Sequence, residues 1–184
     1  MTETYRVGSG KLYMVEVEAV DGVYEIPADS EIETDRNRLG LVSGGASISY
    51  TPTLGNVRDD LGELDDTYLQ EEEVVFTSGI LTWDTESLGK LTTTGVVTED
   101  ATNHKRTIQI GGFENYANTK YIVRFLHEDA VKGDLRVTLV GTASNGWEIS
   151  LQNDNPTTIN AEFRASAGCG DVGVLLNITE DIPQ

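Results

Sequence analysis

Two histidines, one cysteine and 31 carboxylates are the residues through which this 184-residue chain could do acid–base, nucleophilic or metal chemistry. Neither His104 nor His127 has a second ligand or an orienting acid at i, i+4, and no serine or cysteine motif accompanies them, so a catalytic or metal role lacks its partner. Cys169 stands alone and can form neither an internal disulfide nor a cysteine metal cluster; it reads as a packed small residue. The acids from Asp59 to Asp66 invite a calcium reading. An EF-hand needs oxygen ligands at alternate positions, a glycine and a distant glutamate, and Leu61 and Gly62 fall where ligands belong. A carboxylate pair for glycoside hydrolysis would be decided by separation in space. Gly168-Cys169-Gly170 has no helix start or lysine behind it and is not a phosphate loop. Asn177-Ile178-Thr179 matches a glycosylation acceptor but reads as a strand end. Trp83 and Trp147 read first as core residues and second as sugar-stacking surfaces. The sequence thus offers no catalytic, cofactor or metal set, and the expectation is a protein that is not an enzyme.

The elements that must position these residues are short strands. Hydrophobic residues make up 38% of the chain, low for a domain with every segment packed. No run of eighteen apolar residues is present, so no membrane span is expected, and the first six residues carry no secretory pattern. The formal net charge is −18. It is uneven: residues 1–73 carry 17 acids and 5 bases, the rest 14 and 8. Such a chain does not grip phosphate backbones, which requires lysine and arginine to displace counterions.

Residues 1–14, with Gly8-Ser9-Gly10 at a joint, read as an N-terminal arm. Alternation predicts a strand over 12–20, a turn at Asp21-Gly22 and a return over 23–26. Residues 84–91 read as one short helix, with Asp84 or Thr85 as cap and Leu88 and Leu91 on one face. Strands are then expected over 92–97, 105–110, 121–126, 135–140, 147–151, 158–165 and 172–178. The turns fall at Gly111-Gly112, Asn145-Gly146, 153–156 and 167–171. Strands at this spacing argue for a β-sandwich or barrel in a single domain, residues 1–184.

The organising stretch is 43–83. Gly45-Ala46-Ser47-Ile48-Ser49-Tyr50-Thr51 alternates, with Ile48 and Tyr50 on one face and Ser47, Ser49 and Thr51 on the other. Pro52 is expected to end the strand. A second strand begins near Val74. Between them, residues 53–72 read as a long acidic assembly loop. Its apolar members are Leu54, Val57, Leu61, Leu64 and Leu69, among Arg58, Asp59, Asp60, Glu63, Asp65 and Asp66. Structureless loops beyond about 12–15 residues are uncommon unless functional.

The ordered set of segments resembles the tail tube proteins (major tail proteins) of long-tailed bacteriophages. It comprises Ser43-Gly44-Gly45-Ala46-Ser47-Ile48-Ser49-Tyr50, Gln70-Glu71-Glu72-Glu73-Val74-Val75-Phe76-Thr77, Tyr121-Ile122-Val123-Arg124-Phe125-Leu126-His127-Glu128-Asp129, Leu135-Arg136-Val137-Thr138-Leu139-Val140-Gly141, the Asn145-Gly146-Trp147 turn and Thr158-Ile159-Asn160-Ala161-Glu162-Phe163. Their order and spacing across 40–178 carry the likeness. The resemblance implies an all-β fold of two packed antiparallel sheets with one short flanking helix, a long acidic loop and extended terminal arms. It implies a structural virion protein that stacks as hexameric rings into the tail tube, assembled in the host cytoplasm. The expected partners are other copies of the chain, the tape measure protein and tail terminator or baseplate proteins. DNA would pass through a negative lumen without specific binding, and no membrane or cofactor is involved. Ser47, Ser49, Thr51, Glu71 and Glu73 are the expected lumen-lining residues. The competing expectation is a carbohydrate-binding or adhesion β-sandwich that uses Trp83 or Trp147.

Overall fold

A computed structural model describes residues 8–61, 63–151, 153–154 and 156–182. The fold is all-β and antiparallel. Nine strands run in chain order: β1 (Lys11–Val17), β2 (Arg38–Arg58), β3 (Asp65–Ile80), β4 (Gly95–Asp100), β5 (Lys105–Ile110), β6 (Lys120–His127), β7 (Leu135–Ala143), β8 (Ile159–Ala165) and β9 (Leu176–Glu180). Two short helices, α1 (Asp29–Ile32) and α2 (Thr85–Lys90), flank them. Only α2 was legible in advance. The Asp84 carboxylate caps it, accepting from the Ser87 amide at 2.8 Å, and Leu88 is its buried residue. Those donated bonds hold the Asp84 carboxyl below its ordinary range, with Ser87 the main cause.

Seven strands form one sheet in the order β6-β1-β2-β3-β8-β7-β9, and β6 also pairs with β7. The sheet therefore closes on itself. The two packed sheets that the resemblance implies are opposite walls of one rolled sheet, and β4 with β5 makes a separate two-stranded sheet. Closure removes most free edges. β8 and β9 share one edge of β7, β9 against Leu135–Leu139 and β8 against Gly141–Ala143.

Inward alternation fills the barrel. Leu12, Met14, Val123, Phe125, Val137, Leu139, Ile159, Ala161 and Phe163 meet Phe76 and Ile80 of β3. Phe76 lies 6.0 Å from Phe125 and 6.3 Å from Phe163, centroid to centroid, in tilted pairs. A second cluster covers the outer side of β1, β6 and β7, where Tyr13, Ile122, Leu126 and Val140 pack with Ile32 and Cys169. Covering on both sides explains why six consecutive residues of β6, Ile122 to His127, are all buried. Two guanidiniums pin this cover. Arg124 bonds Thr138, Asp29 and Glu33, and Arg136 bonds Glu33 at 2.8 Å and Asp181 at 2.6 Å.

Several expectations are corrected. Residues 11–14 of the expected N-terminal arm belong to β1, with Leu12 fully buried; residues 1–7 lie outside the described residues. Residues 23–26 make isolated bridges, Val20 to Val23 and Tyr24 to Cys169, in place of a hairpin strand. Residues 147–151 form no strand. Trp147 is instead drawn onto the core, its indole N–H donating to Thr92 Oγ1 at 2.8 Å, so Asn145-Gly146 leads into irregular chain. The strand expected over 92–97 is β4, a few residues later.

Candidate assembly surface

The long acidic loop expected over 53–72 is a β-hairpin. β2 and β3 pair continuously from Ala46↔Ser78 to Arg58↔Asp65, with one register shift at Thr53/Leu54 where Gln70 is the extra residue. Between the two strands, the described residues 59–61 and 63–64 lie outside the ladder. A two-stranded ribbon in water has no face that must be apolar, so the acids fit on either side. Pro52 does not end β2; it stands opposite Glu72. Proline is tolerated because β2 is an edge strand there, where a missing N–H can face solvent. Residues 47–58 and 65–72 are exposed except Gly55, so this part projects from the barrel as an arm.

Gly44 and Gly45, at φ 82° and 77°, form the bulge where the arm leaves the wall. Both take the left-handed conformation that a side chain disfavours. Ser78, buried in β3, donates to the Gly45 carbonyl at 3.1 Å and holds the bend.

The far end is equally fixed. Asp59 accepts from the Leu64 amide at 2.7 Å and the Leu61 amide at 3.2 Å, and its own N–H donates to the Leu64 carbonyl. These bonds, Leu64 first, lower the Asp59 pKa. Arg58 closes the neck on Asp65 at 2.7 Å. Of the acids from Asp59 to Asp66, Asp59 holds the turn and Asp65 pairs with Arg58 at its neck.

Pairing assigns the faces. Val74, Phe76, Ser78 and Ile80 point into the barrel. Ile48 opposite Phe76 and Tyr50 opposite Val74 share that side, followed by Leu54 opposite Leu69. Tyr50, Leu54 and Leu69 are each about half exposed. Tyr50 donates to Glu72 at 2.7 Å, which raises its pKa. At the root this apolar side and residues Gly173, Val174, Leu175 and Leu176 border a groove of ≈ 440 Å³. The other side is polar. Ser47 stands opposite Thr77, Ser49 opposite Val75, Thr51 opposite Glu73 and Thr53 opposite Glu71. All five residues singled out from sequence, Ser47, Ser49, Thr51, Glu71 and Glu73, therefore share one outward face. A residue that sequence reasoning missed, Arg164 of β8, lies there too and binds Glu73 at 3.1 Å. It could not be found because only the long-range pairing of β8 with β3, Val75↔Arg164 to Ile80↔Ile159, brings it to Glu73.

The arm also has two open edges. β2 pairs with β1 only through Arg38, Gly40 and Leu41, and β3 pairs with β8 only from Val75 to Ile80. Beyond those points the outward backbone groups of both strands have no strand partner among the described residues, an arrangement prone to pairing with another chain.

The other sequence candidates lie elsewhere. His104 sits exposed in the β4–β5 turn at φ 51°. His127 is buried, its Nδ1 2.8 Å from the Ser9 carbonyl. Cys169 is buried and accepts from Asn177. Trp83 and Trp147 pack against the main core. Among the described residues no three His, Cys, Asp or Glu side chains gather as for a metal, and no helix is long and apolar enough to cross a membrane. No protein-family model matches the chain, and no curated protein sequence does.

Proposed function

We propose that this chain is a structural subunit that polymerises through its β2–β3 arm into a hollow tube, as a tail tube protein of a long-tailed bacteriophage would. The observation that carries the reading is the arm: two open strand edges, one polar face and one apolar face, all outside the barrel. In a ring whose arms point the same way, the open edge of β3 meets the open edge of β2 from the next copy. The two strands then run antiparallel, and their backbone groups complete a ladder. Each added copy keeps its polar face aligned with the last, because side chains alternate strictly across a sheet. Ser47, Ser49, Thr51, Glu71 and Glu73 then line one continuous surface, the lumen. Tyr50, Leu54 and Leu69 face the protein side. Such a contact joins two different patches, so it generates rings or filaments and not closed dimers. Hexameric rings, and the tape measure and terminator partners, follow from the family resemblance.

A lumen of hydroxyls and carboxylates repels phosphate and offers no base to hold it, so DNA slides through during ejection. The same acids oppose assembly at low salt. Residues 47–73 carry eight acids and one base, and the Debye length falls from ~30 Å at 0.01 M salt to ~3 Å at 1 M. Negative-stain electron microscopy of concentrated protein across that range tests the reading. Hollow tubes or rings that increase with salt are expected. Monomers at every salt and concentration would sink it.

A further inference from the structure

We infer that Arg58 sets the level at which arms join: besides the Asp65 of its own hairpin it takes the Asp65 of the next copy, so that the two residues alternate along the assembly. The inference rests on the assembly reading above and adds the contact that fixes its register.

Residues 47–73 carry eight acids and one base, and the base is Arg58. A contact between two arms therefore brings acids together everywhere except where Arg58 lies. Arg58 is the last residue of β2 and stands opposite Asp65, the first of β3. Its Nη2 donates to Asp65 Oδ2 at 2.7 Å. That bond leaves both groups open. The side chains remain 68% and 50% exposed, and neither makes a second ion pair among the described residues. Both flanks are open as well. On the side away from β3, β2 has a strand partner only at Arg38, Gly40 and Leu41. On the side away from β2, β3 has one only from Val75 to Ile80.

When the β3 edge of one arm meets the β2 edge of the next with their tips level, Arg58 of the second copy stands between two Asp65 carboxylates. One is on its own β3 and one on its neighbour's, each a strand spacing of about 4.8 Å away. Each Asp65 stands likewise between two guanidiniums. Guanidinium is a planar fork with five donors, so it serves two carboxylates at once. Opposite charges that face each other across strands stabilise a sheet, and like charges destabilise it. The same register places Thr51 between the Glu73 residues of successive copies, and Thr53 between their Glu71 residues. Acids of the polar face then never stand side by side. A slip of one residue turns the neighbour's Asp65 to the opposite face. A slip of two toward the barrel sets Arg58 against Thr67, and a slip outward carries it past the end of β3. Glu72, on the same side of the arm as Arg58, already accepts from Tyr50.

Parent chains and chains with the exchange Arg58→Asp, Asp65→Arg are labelled with different dyes and mixed at the lowest salt that supports polymer. The exchange keeps the pair within each hairpin and between like copies, so either chain alone should polymerise at the same concentration. At a mixed contact two arginines or two aspartates meet. Single-colour polymers are therefore expected, with mixed contacts about fivefold rarer than chance. A pair that acts only within its own hairpin would not sort the colours. At 1 M salt, where screening reaches ~3 Å, the sorting should fade. The neutral variant Asp65→Asn carries the test if the exchanged chain does not fold, read from its urea midpoint. Simple relief of acid repulsion would lower the concentration it needs for polymer, whereas loss of the contact raises it. Random mixing of colours at low salt, folded exchanged chains that stay monomeric, or an Asp65→Asn threshold at or below the parent's overturns the role of Arg58 and leaves the assembly reading intact. Parent chains that form no polymer at any salt overturn the two together.

Discussion

At the scale of single residues, the carboxylates divide by what they meet. Glu33 and Asp29 are both shared by the two buried guanidiniums, and Glu33 is the more buried, with only 14% of its side chain exposed. Its bonds keep the Arg136 pKa above the ordinary arginine range, Glu33 being the largest cause. Glu33→Gln keeps the shape but removes the charge that Arg124 and Arg136 share. The expected loss is about 2 kcal/mol, in the range for hydrogen bonds to charged groups, read as a lower urea midpoint with an unchanged slope. No loss would mean that Asp29, Asp134 and Asp181 suffice. Asp59 behaves differently, because it is solvent-exposed and binds only amides. Its folded pKa lies below the unfolded value of about 3.9. Its contribution is therefore fully present above that value and fades as pH falls through the lower folded one. Acidification should move the Leu61 and Leu64 amide resonances together in that window, and Asp59→Asn should abolish the titration. Amide shifts that ignore pH would show that the turn does not depend on the ionised acid.

At the scale of elements, the hairpin β2–β3 has two halves with different physics. The proximal half is barrel wall, with Val74, Phe76, Ser78 and Ile80 inside. The distal half is a ribbon wetted on both faces. Two-stranded ribbons are marginal alone, so the wall, the Gly44–Gly45 bulge and the Asp59 turn hold this one in register. The bulge is the junction, and its cost can be isolated because an added Cβ at either glycine meets nothing within 4 Å. Gly44→Ala and Gly45→Ala should each destabilise by roughly 1–2 kcal/mol from the left-handed backbone alone. Thermal unfolding checks this. Variants as stable as the parent would show that the bulge relaxes. β6 illustrates the opposite case, a strand covered on both faces by Phe125-type interior contacts and the α1 cover.

At the scale of the whole molecule, closure decides what is left to do. β1, β2, β3, β8, β7 and β6 satisfy one another around the barrel, so the open backbone is concentrated in the arm and at the short outer strands. The chain carries a formal net charge of −18, so copies repel one another electrostatically at low salt. It also carries an arm whose two strand edges have no strand partner among the described residues. Those opposed features are the ones the proposed assembly draws on.

The sequence alone determined the all-β class, the strands near 105–110, 121–126, 135–140 and 158–165, and the capped helix near 85–90. It also placed Ser47, Ser49 and Thr51 on one face, because period-two alternation is local and Gly45 to Thr51 writes it plainly. Only the tertiary structure decided that residues 53–72 are strand. Their pattern is not that of a half-buried strand, since neither face is buried, and pairing across the hairpin supplies the order instead. It alone brought Arg164 to Glu73, which lie 91 positions apart. It alone turned Trp147 onto Thr92 at the expense of a strand. In each case the deciding contact is long-range, and local propensity carries no record of it.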